Sequence, residues 1–115
     1  MKKKTDTALW LVFKALSNEN RLRVFEIIRR GHTNIARCTK ENMPEDIPED
    51  AVCVCEILKQ MDVTAPTLSH HLKELRNAGI VNVYNRGQWS YYEVRVGVLE
   101  ELADYFTGAA LAGRR

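Results

Sequence analysis

The chain has 115 residues, a length that suits one domain with a single hydrophobic core and is too short for two comfortable ones. Hydrophobic residues make up 45% and charged residues 28%, which excludes a disordered or fibrous protein. No apolar run approaches the roughly 18 residues that a membrane span requires, and no secretion signal follows the basic start at residues 1–4. We therefore expect a folded cytoplasmic protein.

The charges are unevenly distributed along the chain. The net charge is only +2, so it does not by itself indicate a nucleic-acid partner. Residues 2–30 contain eight basic and three acidic side chains, whereas residues 41–50 contain five acidic side chains and no basic one. Most of these side chains are expected on solvated surfaces.

The first two predicted elements are amphipathic helices. Asp6 or Thr7 can cap the first helix, and Ser17 and Asn18 separate it from the second, which ends at Gly31. Apolar residues recur at helical spacing in both, so one face of each helix is predicted to be apolar. These residues are Leu9, Trp10, Val12, Phe13 and Leu16 in the first helix, and Leu22, Phe25 and Ile28 in the second.

An acidic insert follows at residues 32–50. It contains Pro44, Pro48 and most of the acidic run, and it is longer than the roughly 12 to 15 residues beyond which a structureless loop is unusual in a compact domain. The pattern is compatible with a short helix at residues 35–40, or with a loop that has a function of its own.

A helix-turn-helix is predicted after the insert. A short third helix spans Val52–Gln60, and Thr64 is a good N-cap for a fourth helix that has Pro66 in its first turn and ends at Gly79. Two helices joined by so short a turn are typical of this motif. The residues predicted to face the core are Val54, Ile57, Leu58 and Met61 in the third helix, and Leu68, Leu72 and Leu75 in the fourth.

The pattern then becomes strand-like, and it predicts a β-hairpin with a turn at residues 85–87. A last amphipathic helix follows, and residues 108–115 are predicted to be a flexible tail. Residues 1–107 thus form a single domain, mainly α with a small β-hairpin (α+β). The apolar and aromatic positions are Val81, Val83, Tyr84, Trp89, Tyr91, Tyr92 and Val94 in the hairpin, and Leu99, Leu102, Ala103 and Phe106 in the helix.

Three motifs in this order resemble the ArsR/SmtB family of metal-sensing repressors. Residues 52–58 (VCVCEIL) resemble its metal-binding box, residues 64–72 (TAPTLSHHL) its recognition helix, and residues 87–92 (GQWSYY) its wing; residues 18–22 also fit the start of its second helix. The likeness covers nearly the whole chain except the insert. It implies a winged helix-turn-helix with N- and C-terminal dimerisation helices, which represses transcription and leaves its operator when metal binds.

The predicted DNA-binding residues lie on the fourth helix and on the hairpin tip. Short polar side chains at the exposed N-terminal end of a helix can reach base edges in the major groove, although the same side chains could simply cap the helix and cover its surface. The resemblance favours DNA, and His71, beside Leu72, is expected to be structural. We assign Thr64, Thr67, Ser69 and His70 to base contacts, Lys73 and Arg76 to phosphates, and Arg86 and Gln88 to the neighbouring minor groove.

A dimer is expected because one such module buries too little surface to be specific. A two-fold dimer would read half-sites about 34 to 36 Å apart. The resemblance implies that the first and last helices form the interface, through the apolar stripes at residues 9–16 and 99–106. Packing within the chain's own core accounts for at least part of each stripe.

The cysteines are the candidate sensor residues. Three cysteines, an odd number, argue against a disulfide scaffold and indicate thiols in a reducing compartment. Cys53 and Cys55 lie beside a helix start, where backbone donors favour thiolates, and soft thiolates favour thiophilic ions; either could instead pack as a small hydrophobe. The resemblance favours ligation. Because residues i and i+2 do not face each other on a regular α-helix, joint ligation is expected to distort the third helix and displace the fourth.

The third ligand is expected from the insert. The arsenic sensors that this chain resembles place a third cysteine one helical turn beyond the pair, where this chain has Leu58. We therefore predict that Cys38, from the same or the other subunit, completes a three-thiolate site for arsenite or antimonite. With Cys53 and Cys55 alone, the site would better suit a monomethylated arsenical.

The sequence favours arsenite or antimonite over the other inducers and functions considered for this family. The family's cadmium and lead sensors carry N-terminal cysteines and its zinc sensors carry a histidine on the last helix; this chain has neither. Cadmium or lead therefore ranks behind arsenite, and zinc, nickel and cobalt are disfavoured. The thiols could instead form a redox switch, or the winged helix could bind a protein. An enzyme is not expected, because no phosphate-binding glycine loop, nucleophile motif or polarised carboxylate pair is present.

Overall fold

The computed structural model describes residues 8–31 and 45–113. Within these ranges the fold is mainly helical with one small antiparallel sheet, which confirms the predicted fold class. None of the helices in the two ranges is both long and apolar enough to cross a membrane. The elements are α1 (Leu9–Leu16), α2 (Glu19–Arg30), β1 (Val52–Cys53), α3 (Val54–Lys59), α4 (Ala65–Asn77), β2 (Val81–Arg86), β3 (Trp89–Val94) and α5 (Val96–Gly113).

Side-chain caps set the starts of α2 and α4. The side chain of Asn18 accepts a hydrogen bond from the backbone N–H of Arg21 at 3.0 Å. The hydroxyl of Thr64 accepts one from the backbone N–H of Thr67 at 3.3 Å. Both caps satisfy N–H groups that the first turn of a helix leaves without a partner. The predicted boundaries at Asn18 and Thr64 are therefore confirmed.

The main core lies between the helices and one face of the sheet. Val24 of α2 and Leu72 and Leu75 of α4 are at most 2% exposed, and full burial of such side chains contributes about 1.5 to 3 kcal/mol each. This packing fixes α4 against α2. The core residues are Val12, Ala15, Val24, Phe25, Ile27, Ile28, Val52, Ile57, Met61, Leu68, Leu72, Leu75, Ile80, Val81 and Val98.

The sheet has the strand order β1-β3-β2, with both pairs antiparallel. Gly87 has a φ of +60°, which glycine adopts without strain, and it turns β2 into β3; we call this hairpin the wing. On the other edge of β3, Val52 pairs with Tyr92, and Cys53 pairs with Tyr91. Because successive residues of a strand point to opposite faces, Val52 packs in the main core, whereas Cys53 lies on the outer face of the sheet.

Residues 45–51, which we call the strap, lie against this outer face. Ile47 and Ala51 of the strap pack with Cys53 and Tyr91 in a second, smaller cluster, in which each side chain is at most 5% exposed. The C-terminal part of the acidic insert is therefore a packed part of the fold.

The third predicted helix is shorter than the sequence indicated. The prediction of one helix over Val52–Gln60 is wrong at its start, because Val52–Cys53 form β1 and α3 covers only Val54–Lys59. The partner of β1 is β3, which lies far along the chain. Helical periodicity within a short window does not report such a non-local pairing.

Two further differences concern α2 and α5. Leu22, predicted to face the core, is 43% exposed; the buried face of α2 includes Val24, and at 3.6 residues per turn Leu22 points about 160° away from it. Residues 108–113, predicted as part of a flexible tail, continue α5. The run of strong helix formers at residues 109–112 explains this continuation.

Two predictions fall on residues outside the described ranges. α1 begins at Leu9 with Ala8 at its N-cap position and no side-chain cap, whereas the predicted caps Asp6 and Thr7 are not among the described residues. The short helix considered for residues 35–40 also lies outside them.

Candidate nucleic-acid interface and thiol site

The exposed face of α4 carries the residues assigned to DNA. Ser69, His70, Lys73 and Arg76 are exposed, while the opposite face of α4, including Leu72, packs in the core. The structure therefore leaves these four polar side chains accessible to a ligand. Their contact with DNA stays a prediction.

Thr64 and Thr67 have a structural role as well as an exposed position. The Thr64 hydroxyl donates to the hydroxyl of Thr67 at 3.0 Å, in addition to capping the helix. Both residues are exposed at the N-terminal end of α4. These two threonines can therefore cap α4 and also be accessible for contacts with DNA.

His71 is buried, as its position beside Leu72 predicted. It is 7% exposed, and its Nδ1 atom has no hydrogen-bond partner among the described residues. Burial lowers the pKa of His71 below its ordinary value of 6.5, and the positive charge of Arg21 lowers it further, with a smaller contribution from His70. The neutral imidazole is therefore the form that the folded chain favours.

The wing presents Gln88 and Arg86 differently. Gln88 is exposed in the turn. Arg86 is held in an ion pair with Asp46 of the strap: its Nε and Nη2 atoms donate to Oδ2 of Asp46 at 3.0 and 2.6 Å. Through this side-chain hydrogen bond the pKa of Asp46 is lowered and the pKa of Arg86 is raised. Sequence analysis missed this pair, although the acidic run and the basic wing tip were both visible.

The two sulfur atoms of Cys53 and Cys55 converge at the start of α3. Their Sγ atoms are 3.0 Å apart, too far for a disulfide bond of about 2.05 Å between them. Cys53 occupies the N-cap position of α3 with extended backbone angles, and its Sγ accepts a hydrogen bond from the backbone N–H of Cys55 at 3.4 Å. We call these two residues the thiol pair.

Cys53 and Cys55 do not lie within one helix. The expectation that joint ligation must distort α3 assumed that both cysteines lie within a helix. It is wrong on that point, because Cys53 lies in β1 and caps α3 from outside. The two sulfurs therefore lie 3.0 Å apart while α3 remains a regular helix from Val54 onward.

The thiol pair fits a thiophilic ion. Two thiolates on a tetrahedral ion with bonds of about 2.3 Å lie about 3.8 Å apart, and the 3.0 Å separation of the pair is within about 0.8 Å of that ligand spacing. Cys53 is buried and Cys55 is partly exposed, which places the solvent side of the site at Cys55. Within residues 8–31 and 45–113 no group of three or more His, Cys, Asp or Glu side chains could hold a metal. Cys38, the predicted third ligand, lies outside these ranges.

Tyr91 borders the thiol pair and was not singled out by sequence analysis. It pairs with Cys53 across the sheet and is 1% exposed. Its hydroxyl is buried and has no hydrogen-bond partner among the described residues. The only signal for this position was the run of aromatic residues in β3, which does not show that the Tyr91 side chain packs under the strap or that its hydroxyl lacks a partner among the described residues.

An aromatic patch lies where α1 meets α5. The ring centroid of Phe13 lies 5.8 Å from the ring centroids of both Tyr105 and Phe106, and the centroids of those two rings are 5.2 Å apart. Phe13 is 37%, Tyr105 50% and Phe106 55% exposed. An exposed apolar cluster of this kind is typical of an interaction surface.

Comparison with known proteins identifies the family. Residues 49–83 match the family described as bacterial regulatory protein, arsR family. The cadmium resistance transcriptional regulatory protein CadC of Listeria innocua is 31% identical over 103 residues, which cover 87% of this chain and 71% of CadC. The chain belongs to the ArsR/SmtB family.

Further comparisons agree with this membership. The arsenic resistance transcriptional regulator ArsR1 of Pseudomonas putida is 32% identical over 84 residues, and the alignment covers 73% of this chain and about half, 52%, of ArsR1. The structure of an ArsR-like transcriptional regulator from Rhodococcus sp. RHA1 superposes with a TM-score of 0.64 at 20% identity, covering 92% of this chain and 84% of that chain. The predicted winged-helix fold is confirmed. This ArsR/SmtB chain is a transcriptional regulator and not an enzyme.

Proposed function

We propose that this chain is a cytoplasmic repressor that binds operator DNA as a homodimer and leaves it when arsenite or antimonite binds its thiols. The observation that carries the proposal is the convergence of the Cys53 and Cys55 sulfur atoms at 3.0 Å, at the start of the helix-turn-helix. Relatives named for arsenic and cadmium resistance support a soft ion as the inducer.

The proposed DNA surface combines α4 and the wing. Ser69 and His70, with Thr64 and Thr67 at the helix start, would read base edges in the major groove. Lys73 and Arg76 on α4, and Arg86 and Gln88 on the wing, would contact the backbone or the minor groove. Because this binding would release condensed counterions, its affinity is expected to fall steeply with salt.

The aromatic patch supports a dimer as the DNA-binding form. Only Val98 is buried among the 18 residues of α5, so this long helix has little of its surface covered within the chain. A second copy that brings its own α1 and α5 would cover Phe13, Tyr105 and Phe106. Tyr105→Glu is expected to shift the protein to monomers in analytical ultracentrifugation and to weaken operator binding.

The position of the thiol pair suggests how ligation could be sensed. Cys53 belongs to β1, which is paired with the wing strand β3, whereas Cys55 belongs to the first turn of α3. Joint ligation would therefore fix the sheet relative to the helix that precedes α4, and α4 and the wing would no longer fit DNA together. To shift the protein from 1:99 to 99:1 in favour of the conformation that leaves DNA, the ion must bind that conformation about 5.5 kcal/mol more tightly than the DNA-binding one. Structural zinc–thiolate sites release about 10 to 16 kcal/mol on binding. Release from DNA therefore needs only part of the binding free energy of such a site.

A redox switch is the second candidate, and the short separation of the thiol pair favours it. Oxidation by a hydroperoxide would join the two sulfurs, with the thiols losing two protons and two electrons. The same operator release would then follow from peroxide and not from a metalloid.

The proposal is tested by measuring the affinity of the reduced protein for duplex DNA taken from upstream of its own gene. Arsenite, antimonite, cadmium, zinc and hydrogen peroxide are added in separate titrations. We expect release by arsenite and antimonite at lower concentrations than by cadmium, and little response to zinc. Release by peroxide alone would favour the redox switch, and salt-independent binding to DNA would contradict the repressor itself.

The part played by Cys38 needs a separate titration. Cys38→Ser is expected to weaken the response to arsenite and to preserve the response to a monomethylated arsenical, for which two thiolates suffice. An unchanged arsenite affinity would eliminate Cys38 as the third ligand.

A further inference from the structure

The strap places a carboxylate on the wing where the proposed DNA surface lies. Both the Nε and the Nη2 atoms of Arg86 donate to Asp46, at 3.0 and 2.6 Å, and its Nη1 atom donates to the backbone oxygen of Asn85 at 2.8 Å. All three nitrogen atoms of the guanidinium are thus bonded within the chain. Asp46 occupies the Nε–Nη2 edge of the guanidinium, and an arginine fork of this kind binds carboxylates and phosphates in the same way.

The position of Asp46 is fixed by its neighbour in the strap. Ile47 is 5% exposed and packs with Cys53 and Tyr91 on the outer face of the sheet. The strap then turns back, with the backbone N–H of Ala51 donating to the oxygen of Pro48 at 3.0 Å. Asp46 is therefore held beside the wing by buried apolar contacts, and its ion pair does not have to order a free loop.

We propose that Asp46 is an internal competitor for the DNA phosphate at Arg86 and thereby lowers the operator affinity of the repressor. This inference rests on the proposed function. On DNA, Arg86 must either leave Asp46 or stay with it and make no phosphate contact. An Asp46 carboxylate left without its partner close to the DNA backbone would add repulsion, so both routes weaken binding.

The expected effect is modest, because the pair is exposed to solvent. An exposed ion pair is weak, so release of Arg86 should tighten operator binding by about two- to fivefold. The extra phosphate contact should also steepen the plot of log affinity against log salt by about 0.9.

The experiment measures operator affinity at four salt concentrations for Asp46→Asn and for a matched control, Glu45→Gln. Glu45 is the preceding strap residue and is exposed, and the hydrogen bonds of the Arg86 guanidinium go to Asp46 and Asn85. Both variants remove one negative charge from the same segment. We expect Asp46→Asn to bind about two- to fivefold more tightly than Glu45→Gln and with the steeper salt dependence.

The same pair of variants is then made in an Arg86→Gln background. The advantage of Asp46→Asn should vanish there, because no guanidinium remains to be released. Equal affinities of Asp46→Asn and Glu45→Gln, or an advantage that persists without Arg86, would overturn the inference while leaving the repressor proposal intact. A lack of salt-dependent operator binding by the wild type and all the variants would instead overturn both.

Discussion

The recognition helix α4 and the thiol segment at residues 51–55 are close in sequence, but different interactions determine their conformations. α4 starts at a threonine cap and is held by leucines at helical spacing, so its determinants lie within its own residues. The thiol segment takes its conformation from β3 and the strap, which pack around Cys53. The element proposed to read DNA is locally encoded, whereas the element proposed to bind the inducer depends on the wing.

The largest effect is expected from removing packing beneath α4. Leu72→Ala deletes a side chain that is 2% exposed and should lower the free energy of unfolding by about 2 to 5 kcal/mol. Urea denaturation measures it. Lys73→Ala, on the exposed face of the same helix, is the matched control and should stay within about 0.5 kcal/mol of the wild type. Equal losses in both variants would contradict the assignment of the two faces.

A smaller effect is expected at the start of the same helix. Thr64→Ala removes the cap on the backbone N–H of Thr67 and should cost about 1 kcal/mol of stability. Thr64→Ser, which keeps the hydroxyl, should recover most of this loss in thermal denaturation. A serine variant as unstable as the alanine variant would show that the methyl group, and not the cap, matters.

The buried histidine of α4 should make stability depend on pH. Because burial lowers the pKa of His71 in the folded chain, the unfolded chain binds more protons, and stability should fall as the pH drops below about 6.5, the unfolded value. His71→Gln should flatten this dependence between pH 7 and pH 5, while His70→Gln at the exposed neighbouring position should keep most of it. The free energy of unfolding is measured by urea denaturation across this pH range. If both variants kept the full slope of this free energy against pH, the assignment of the slope to His71 would be refuted.

The smallest effect is expected beside the thiol pair. The Tyr91 hydroxyl is buried without a hydrogen-bond partner among the described residues, and removing such a group is neutral or stabilising. Tyr91→Phe should therefore unfold at the same or a higher urea concentration than the wild type. A loss of more than about 1 kcal/mol would mean that the hydroxyl has a partner in the folded protein, since that is what a typical hydrogen bond contributes.

The sequence was informative where the interactions are local. The caps at Asn18 and Thr64 and the leucine spacing of α4 each act within a few residues, and each was predicted correctly. The wing turn was placed at residues 85–87, which is wrong for its first two positions, because Asn85 and Arg86 pair with β3 as part of β2 and the turn covers residues 87–88. β1 and the Asp46–Arg86 pair depend on residues that are distant in the chain. Local periodicity does not encode those contacts, so α3 was predicted too long and the strap was left unassigned.

The same distinction applies to the candidate site. Cys53 and Cys55 were identified from residue type and spacing, but their convergence follows from the extended backbone of Cys53, which the pairing with β3 stabilises. The DNA contacts and the third ligand Cys38 stay predictions, because the first need a DNA complex and the second lies outside the described residues.

The most direct test of the account is operator release by arsenite in a Cys53→Ser/Cys55→Ser protein. In the wild type, arsenite is expected to weaken operator binding by about 5- to 150-fold, the usual range for coupled sites. The double variant should bind the operator with unchanged affinity and show no response to arsenite. If arsenite still drives the double variant from its operator, the thiol pair is not the sensor.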